Sequence, residues 1–253
     1  MSVLSQIAKP KDRAVAVTIL SDAGIGKTSL AATFPNPIFI RAEDGMQSIP
    51  ANNRPDAFPL LQNVEQLWEQ LTALINEKHD YKTVVIDSVT ALERLFTQYV
   101  IDSDPKKPKS INQAMGGYGA GLAAVGSMHG RVRKAAGMLI EKGVNVVFIA
   151  HADTIDIDLP DSDPYTKYSM RLGKRSTAPY LDDVDVVAFL KLEAFTKDNE
   201  TGKAKAFSDG TRLMICYASA AYPSKNRFGI EHDLIMKKGE NPLVDFIGIL
   251  SKH

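Results

Sequence analysis

Ser21-Asp22-Ala23-Gly24-Ile25-Gly26-Lys27-Thr28-Ser29 is the stretch whose residue types and spacing can do chemistry. In a small-residue turn ending in Lys-Thr, backbone N–H groups curl around phosphate oxygens, and the start of the next helix adds partial positive charge. Lys27 then reaches the β- and γ-phosphates of ATP, and the Thr28 hydroxyl holds Mg²⁺. The reading needs a strand entering the turn and a helix leaving it. Val15-Ala16-Val17-Thr18-Ile19-Leu20 supplies the first, and Ser29-Leu30-Ala31-Ala32 opens the second. Ser21 stands where this pattern usually has Gly, which alters the turn at its first position. The bland alternative is an ordinary glycine-containing turn with an exposed lysine.

Phosphoryl transfer also needs a metal-binding carboxylate and a group that orients or deprotonates the attacking water. Asp87 ends the β-branched run Thr83-Val84-Val85-Ile86-Asp87 and is the expected Mg²⁺ partner opposite Thr28. Many oligomeric ATPases carry a Glu directly after that Asp, and here Ser88 takes the position. Glu43, just beyond Pro37-Ile38-Phe39-Ile40, is the replacement. His151, closing Asn145-Val146-Val147-Phe148-Ile149-Ala150, can hydrogen-bond the γ-phosphate and report its loss. A loop glutamate and a structural histidine are the alternatives at these positions.

The elements that position these groups alternate between strand and helix. Leu67, Leu71, Leu74 and Ile75 mark a helix over Val64 to Lys78, and a short helix runs through Leu92, Leu95 and Phe96. Residues 46–62 read as loop, and residues 102–121 as a mobile one. Leu122, Val125, Val132, Ala136 and Leu139 mark a longer helix that stops at Gly143. Residues 152–182 form an excursion or hairpin on the sheet's rim. Val184 to Leu190 and Arg212 to Tyr217 supply further strands, with a turn at Asp198-Asn199-Glu200-Thr201-Gly202. A closing helix is expected over Asn241 to Leu250. This is an α/β chain with a mostly parallel sheet flanked by helices, its ligand at the strands' carboxyl ends. One domain is expected over residues 1–253, with a core at about 14–230 and a C-terminal extension over 231–253.

Composition agrees with that class. At 253 residues, 44% hydrophobic and 24% charged, the chain can bury a sizeable core. The lone Cys216 lies in the strand-like Leu213 to Tyr217 and excludes an internal disulfide. A buried, inert thiol in a reducing cytoplasm is expected. No apolar run is long enough for a bilayer, residues 1–12 are too polar for a signal peptide, and no membrane partner is expected. The formal net charge of zero gives no global attraction for nucleic acid, so such binding must come from local basic patches.

Phe39-Ile40-Arg41-Ala42-Glu43 and Val84 to Leu92 resemble the corresponding strands of RecA-type recombinases. Gly121 to Lys134, followed by Val147-Phe148-Ile149, is similar to that family's helix and strand beyond its first DNA-binding loop. Ser224-Lys225-Asn226-Arg227-Phe228-Gly229 resembles the Lys-x-Lys or Lys-x-Arg element that RecA-like recombinases and DnaB-type helicases insert into a neighbour's ATP site. The compact chain most resembles phage-encoded RecA-core ATPases of single-strand annealing and recombination. The resemblance implies a RecA-like fold in which Glu43 positions water, Asp87 the metal, and His151 senses the γ-phosphate. It implies that Lys225 and Arg227 act in trans in a head-to-tail homo-oligomer, ring or filament, on single-stranded DNA. A single-stranded-DNA-binding protein or other replication proteins are further expected partners. Arg41 departs from the Asp or small polar residue frequent there in the family.

Lys106, Lys107 and Lys109, then Arg131, Arg133 and Lys134, then Arg171, Lys174 and Arg175, are candidate phosphate-backbone contacts. Tyr118, Tyr165 and Tyr168 are candidates for stacking on bases. Two other classes remain open: a small-molecule kinase with residues 152–182 as its lid, and a nucleotide-gated adaptor that recruits or loads another protein.

Overall fold

A computed structural model describes residues 3–9, 11–160, 163–198 and 204–251. In chain order the elements are β1 (Ala16–Ser21), α1 (Lys27–Ala31), β2 (Pro37–Arg41), β3 (Asp56–Ala57), α2 (Val64–Asn76), β4 (Thr83–Asp87), α3 (Val89–Ser103), α4 (Ala120–Glu141) and β5 (Asn145–Ile157). There follow β6 (Tyr165–Met170), α5 (Ala178–Leu181), β7 (Val186–Leu192), β8 (Phe195–Asp198), β9 (Ala204–Phe207), β10 (Arg212–Ile215), β11 (Lys225–Asn226) and β12 (Leu234–Met236).

Ten of the described strands form one sheet, ordered β12-β10-β7-β1-β5-β4-β2-β3, with β11 on β7 and β6 on β5. The central strands β7, β1, β5, β4 and β2 are parallel, and the β10–β12 flank is antiparallel. This is the expected RecA-like P-loop arrangement. Its central strands are near-continuous Val, Ile and Phe runs because both faces are covered.

Alternation along each strand builds two cores. Ala16, Leu20, Val84, Ile86, Val146, Phe148 and Phe189 face one cluster, where Leu67 and Leu71 of α2, Phe96 of α3 and Val132 of α4 pack. Val17, Ile19, Val85, Val147, Ile149 and Ala188 face the other, covered by Leu30 of α1 and by Ile230, Leu234, Leu243, Ile247 and Leu250. Residues beyond 230 therefore help to cover the sheet.

Local chemistry sets the helix starts. The Asn63 side chain accepts from the Gln66 N–H at α2, and Ser88 accepts from the Ala91 N–H at α3. Gly143 leaves α4 with φ 82°, as a C-terminal glycine should.

Several expectations need correction. The helix through Leu92 is fifteen residues, because Val89 and Val100 extend its buried stripe. Among the described residues no α-helix closes the chain: Asn241 to Leu250 forms two 3₁₀ turns, Pro242–Asp245 and Gly248–Ser251, with Gly248 disfavouring α continuation. The 102–121 loop is tied rather than free of contacts. Buried Asp104 accepts the N–H groups of Lys106 and Met115, and Gly121 sits where a Cβ would meet the Ile111 carbonyl. Residues 152–182 do begin as a hairpin, β5 with β6. Of the turn expected at 198–202, residues 199–202 lie outside the described residues. Cys216 is buried, and burial pushes its thiol up to about 12. Among the described residues no helix is long and apolar enough to cross a membrane.

One polar network crosses the first core. His129 Nε2 bonds to Glu93 of α3 (2.7 Å), and its Nδ1 bonds to the Tyr180 hydroxyl (2.7 Å). The Tyr180 carbonyl accepts from Thr18 of β1. His129 and Tyr180 are fully buried, so an unpaired ring nitrogen there has no water to turn to. Tyr180→Phe is expected to lower the unfolding free energy by about 1–3 kcal/mol in urea denaturation.

Candidate active site

The carboxyl ends of β1, β4 and β2 lie beside His151 of β5, and each strand delivers one polar group. β5 does not end there as expected but runs on to Ile157 to pair with β6. Ser21 of β1 is in register with His151 of β5, Ile149 of β5 with Asp87 of β4, and Asp87 with Arg41 of β2. Glu43 follows β2, where its N–H and that of Ala42 donate to the Asp87 carbonyl. Side chains far apart in sequence are thus brought to one edge by strand register alone.

The turn after β1 takes the left-handed backbone at Gly24 (φ 79°) and Gly26 (φ 106°), which those glycines permit. Lys27 is buried, and its Nζ donates to the Ser21 carbonyl (3.1 Å), the Asp22 carbonyl (2.9 Å) and Ser21 Oγ (3.3 Å). The serine in place of the usual glycine thus lends its hydroxyl to the lysine. The α1 helix has five residues, so its contribution to anion binding is its free N–H groups more than a macrodipole.

Two arms leave Lys27. His151 Nδ1 lies 3.5 Å from Nζ, and His151 Nε2 donates to Glu43 Oε1 at 2.9 Å. His151 therefore stands between the phosphate-binding lysine and the expected water-positioning carboxylate. Its own N–H donates to Thr90 Oγ1 of α3. On the other arm, Thr28 Oγ1 donates to Asp87 Oδ2 at 2.9 Å. One hydroxyl and one carboxylate form a donor set suited to Mg²⁺, which takes few protein ligands and shares the rest with phosphates and water. Gly45 completes this arm: a Cβ there would lie 2.9 Å from Asp87 Oδ2 and 3.0 Å from Thr28 Oγ1. The absent side chain leaves the space in which a cation would sit.

Charge in the site is unbalanced by burial. Burial pushes Asp87 up to about 6, with Glu43 adding to the rise and the Thr28 hydrogen bond and Lys27 opposing it. Burial also lowers Lys27 below the ordinary lysine value, against the pull of Asp87 and Glu43. The hydrogen bond from His151 holds Glu43 below the usual carboxylate range, so it is ionised at neutral pH. A cleft of about 1130 Å³ opens over these groups, ample for a nucleotide. Its walls include Arg212 and residues 236–240, along with Gly45. Sequence reasoning missed all of them, because an arginine starting a strand and a glycine after an aspartate carry no local signal.

The remaining candidates lie elsewhere. Lys225 and Arg227 are at the amino end of β7, the edge opposite the phosphate loop. Lys225 Nζ donates to the Asp182 carbonyl, and Arg227 pairs with Asp185 at 3.3 Å. Arg131, Arg133 and Lys134 are within α4 and in no loop. Arg131 stacks over Trp68, and Arg133 donates to the Asp183 carbonyl. Lys106, Lys107 and Lys109 are exposed, as are Arg171, Lys174 and Arg175. The two groups adjoin, since Arg175 donates to the Gly119 carbonyl. Tyr118 is fully exposed and Tyr165 only 36% so, whereas Tyr168 packs against both Phe189 and Tyr222. Arg41 is drawn aside into a pair with Asp44.

Comparison with known proteins bears on this site. A family model described as an AAA domain matches residues 13–228, which span every group above except Arg212's neighbours at 236–240. A prophage-derived uncharacterized protein, YorG, of Bacillus subtilis strain 168 is 26% identical over 212 residues, covering 81% of this chain. That match spans 58% of the relative's own length. Among solved structures, a KaiC-like protein of Pyrococcus horikoshii OT3 aligns with a TM-score of 0.45 and 11% identity, over 89% of this chain and 90% of that one.

The raised Asp87 gives a signed expectation. Between about pH 4 and 6 the folded chain binds a proton there that the unfolded chain does not, so stability falls as pH rises through this window. Asp87→Asn should raise the metal-free protein's unfolding free energy at pH 7.5 by about 2 kcal/mol while abolishing Mg²⁺-dependent hydrolysis. Calorimetry and a phosphate-release assay read the two effects separately. Gly45→Ala should leave folding intact and cut the Mg²⁺-dependent rate at least about tenfold, since its methyl group fills the cation's space.

Proposed function

The chain belongs to the AAA-domain family, and from that premise we propose that it is an ATP-hydrolysing, RecA-like protein acting on single-stranded DNA. The observation that carries this reading is the meeting of Lys27, His151 and Glu43 with Thr28 and Asp87 at adjacent strand ends. Lys27 and the turn's N–H groups hold the β- and γ-phosphates. Thr28 and Asp87 hold Mg²⁺, which neutralises charge on the phosphate oxygens. Glu43, kept ionised by His151, orients the attacking water and accepts its proton. Loss of the γ-phosphate then changes what His151 can bond.

Two features support a DNA ligand. The Arg171 N–H donates to the His151 carbonyl, so the basic loop 171–175 begins one hydrogen bond from the γ-phosphate sensor. That loop adjoins the lysine-bearing loop, whose end just before α4 exposes Tyr118, so charge and an exposed ring are close in the fold. Completion of the site by Lys225 and Arg227 of a neighbouring subunit fits their position at the far edge of β7, and such fingers are worth roughly 10³–10⁵ in rate. The prophage origin named for YorG fits a phage-borne protein, and the proposed role is phage-type recombination, annealing or repair in the bacterial host's cytoplasm.

A nucleotide-gated adaptor is the second reading, favoured by one feature. The β5–β6 hairpin exposes Asp153, Asp156, Asp158 and Asp163, an acidic surface that repels DNA and suits a basic protein partner.

Phosphate release with and without single-stranded DNA separates the readings. Stimulation at low salt that fades as salt rises is the expected result, and indifference to DNA together with no DNA binding in a non-hydrolysable analogue favours the adaptor. Lys27→Ala and Arg227→Ala should each be inactive alone and regain activity when mixed, because one subunit then supplies the intact loop and the other the finger.

A further inference from the structure

Arg212 opens β10 at the same sheet edge as the phosphate loop. Because β10 runs antiparallel to β7, its first residue pairs with Leu192 at the carboxyl end of β7, and across the other side it pairs with Met236 of β12. The side chain reaches to the turn: a Cβ built on Gly26 would lie 3.3 Å from Arg212 Nη1 and 3.8 Å from Cζ. Gly26 has its left-handed backbone there, so turn and guanidinium approach closely only because the residue is glycine. Among the described residues, no carboxylate or carbonyl is bonded to this guanidinium. An exposed arginine thus lines the cleft, aimed at a loop that presents backbone N–H groups.

Its side of the cleft decides what it can touch. In the strand order β10-β7-β1-β5-β4-β2, Arg212 is on one side of β1, while His151, Asp87 and Glu43 are on the other. The carboxylates for Mg²⁺ and water, and His151 for the γ-phosphate, lie on that second side, with Lys27 and Thr28 on the turn between. Arg212 faces the part of the nucleotide that hydrolysis leaves behind. Met236, Lys237 and Glu240 continue the wall beyond it, where ribose and base would lie.

We propose that Arg212 binds the α- and β-phosphates in cis, as a nucleotide-retaining residue distinct from the hydrolytic groups. The proposal rests on the ATP-site reading above. A planar guanidinium with parallel N–H donors matches phosphate oxygens better than a point charge does. Both phosphates are common to ATP and ADP, so the contact strengthens binding of substrate and product alike. It governs how long nucleotide stays bound more than the step at the γ-phosphate. Arg212 lies outside the loop motif though within the matched residues 13–228, and it pairs with β12, which lies beyond them.

Titration with ADP and with a non-hydrolysable ATP analogue, for wild type, Arg212→Ala, Arg212→Lys and Lys27→Ala, tests this. Arg212→Ala is expected to weaken both nucleotides about 10- to 100-fold and to similar extents, with Arg212→Lys recovering part. The loss of affinity should exceed any fall in the rate at saturating ATP. Loss confined to the triphosphate places Arg212 at the γ-phosphate and overturns the proposal, as does unchanged affinity for both. A large fall in saturated rate with affinity intact overturns it too. Failure of wild type to bind either nucleotide sinks the site itself, whereas sensitivity to Lys27→Ala but not Arg212→Ala removes only Arg212. Should the alanine variant not fold, Arg212→Gln gives the same readings.

Discussion

Lys27 and Asp87 are charged groups withdrawn from water at the end of an apolar sheet, and burial drives both toward their neutral forms. Their mutual attraction opposes this without cancelling it, for Asp87 still rises to about 6. A site in this condition is completed by ligands that restore both charges: a polyanion beside the lysine and a divalent cation beside the aspartate. Mg²⁺ with a triphosphate supplies the two together. The stability lost in keeping these groups buried is the cost of pre-organisation, since the donors need not reorganise when the ligand arrives.

The parallel sheet makes that arrangement rigid. Adjacent strands fix Ser21 against His151 and Asp87 against Arg41 by backbone hydrogen bonds, so the relative positions of the site's groups do not depend on loop order. Two glycines then set how closely backbone may approach. Gly26 admits the Arg212 guanidinium on one side of the loop, and Gly45 leaves room beside Thr28 and Asp87 on the other. A side chain at either position would occupy space that the nucleotide or its metal needs. Tyr180 anchors the opposite end, since its carbonyl holds Thr18 in the middle of β1 while its hydroxyl reaches His129 and, through it, α3.

The sheet and the phosphate loop were legible in the sequence because their signals are local. Continuous β-branched runs mark strands buried on both faces, and Gly24, Gly26, Lys27 and Thr28 occur at fixed spacing. Glu43, Asp87 and His151 could be placed because each ends such a run. What failed was set by non-local contacts. Helical spacing in Arg131 to Lys134 says nothing of Trp68, on which Arg131 stacks. Residues 102–121 read as a mobile loop, yet Asp104 within them is buried and accepts two backbone N–H groups. The closing helix expected over Asn241 to Leu250 is instead two 3₁₀ turns, with Gly248 disfavouring an α continuation between them. Arg212 and Gly45 carry meaning only once strand order and closeness of approach are known.

The two edges of the sheet divide the labour in the proposed assembly. ATP binds at the carboxyl edge, while Lys225 and Arg227 stand at the amino edge beside Asp185. A head-to-tail contact joins unlike surfaces and so can bring one subunit's amino edge to the next one's nucleotide. Arg227 must then be free to leave Asp185 without stranding a buried carboxylate, which would cost several kcal/mol. The fold meets that condition. Asp185 also receives two bonds from Arg13, at 2.7 and 3.2 Å, and the Ala16 N–H at 3.0 Å. With Arg13 holding the carboxylate, Arg227 is a second partner whose departure leaves the pair intact, and its largely exposed guanidinium can exchange Asp185 for a neighbour's phosphate at little expense.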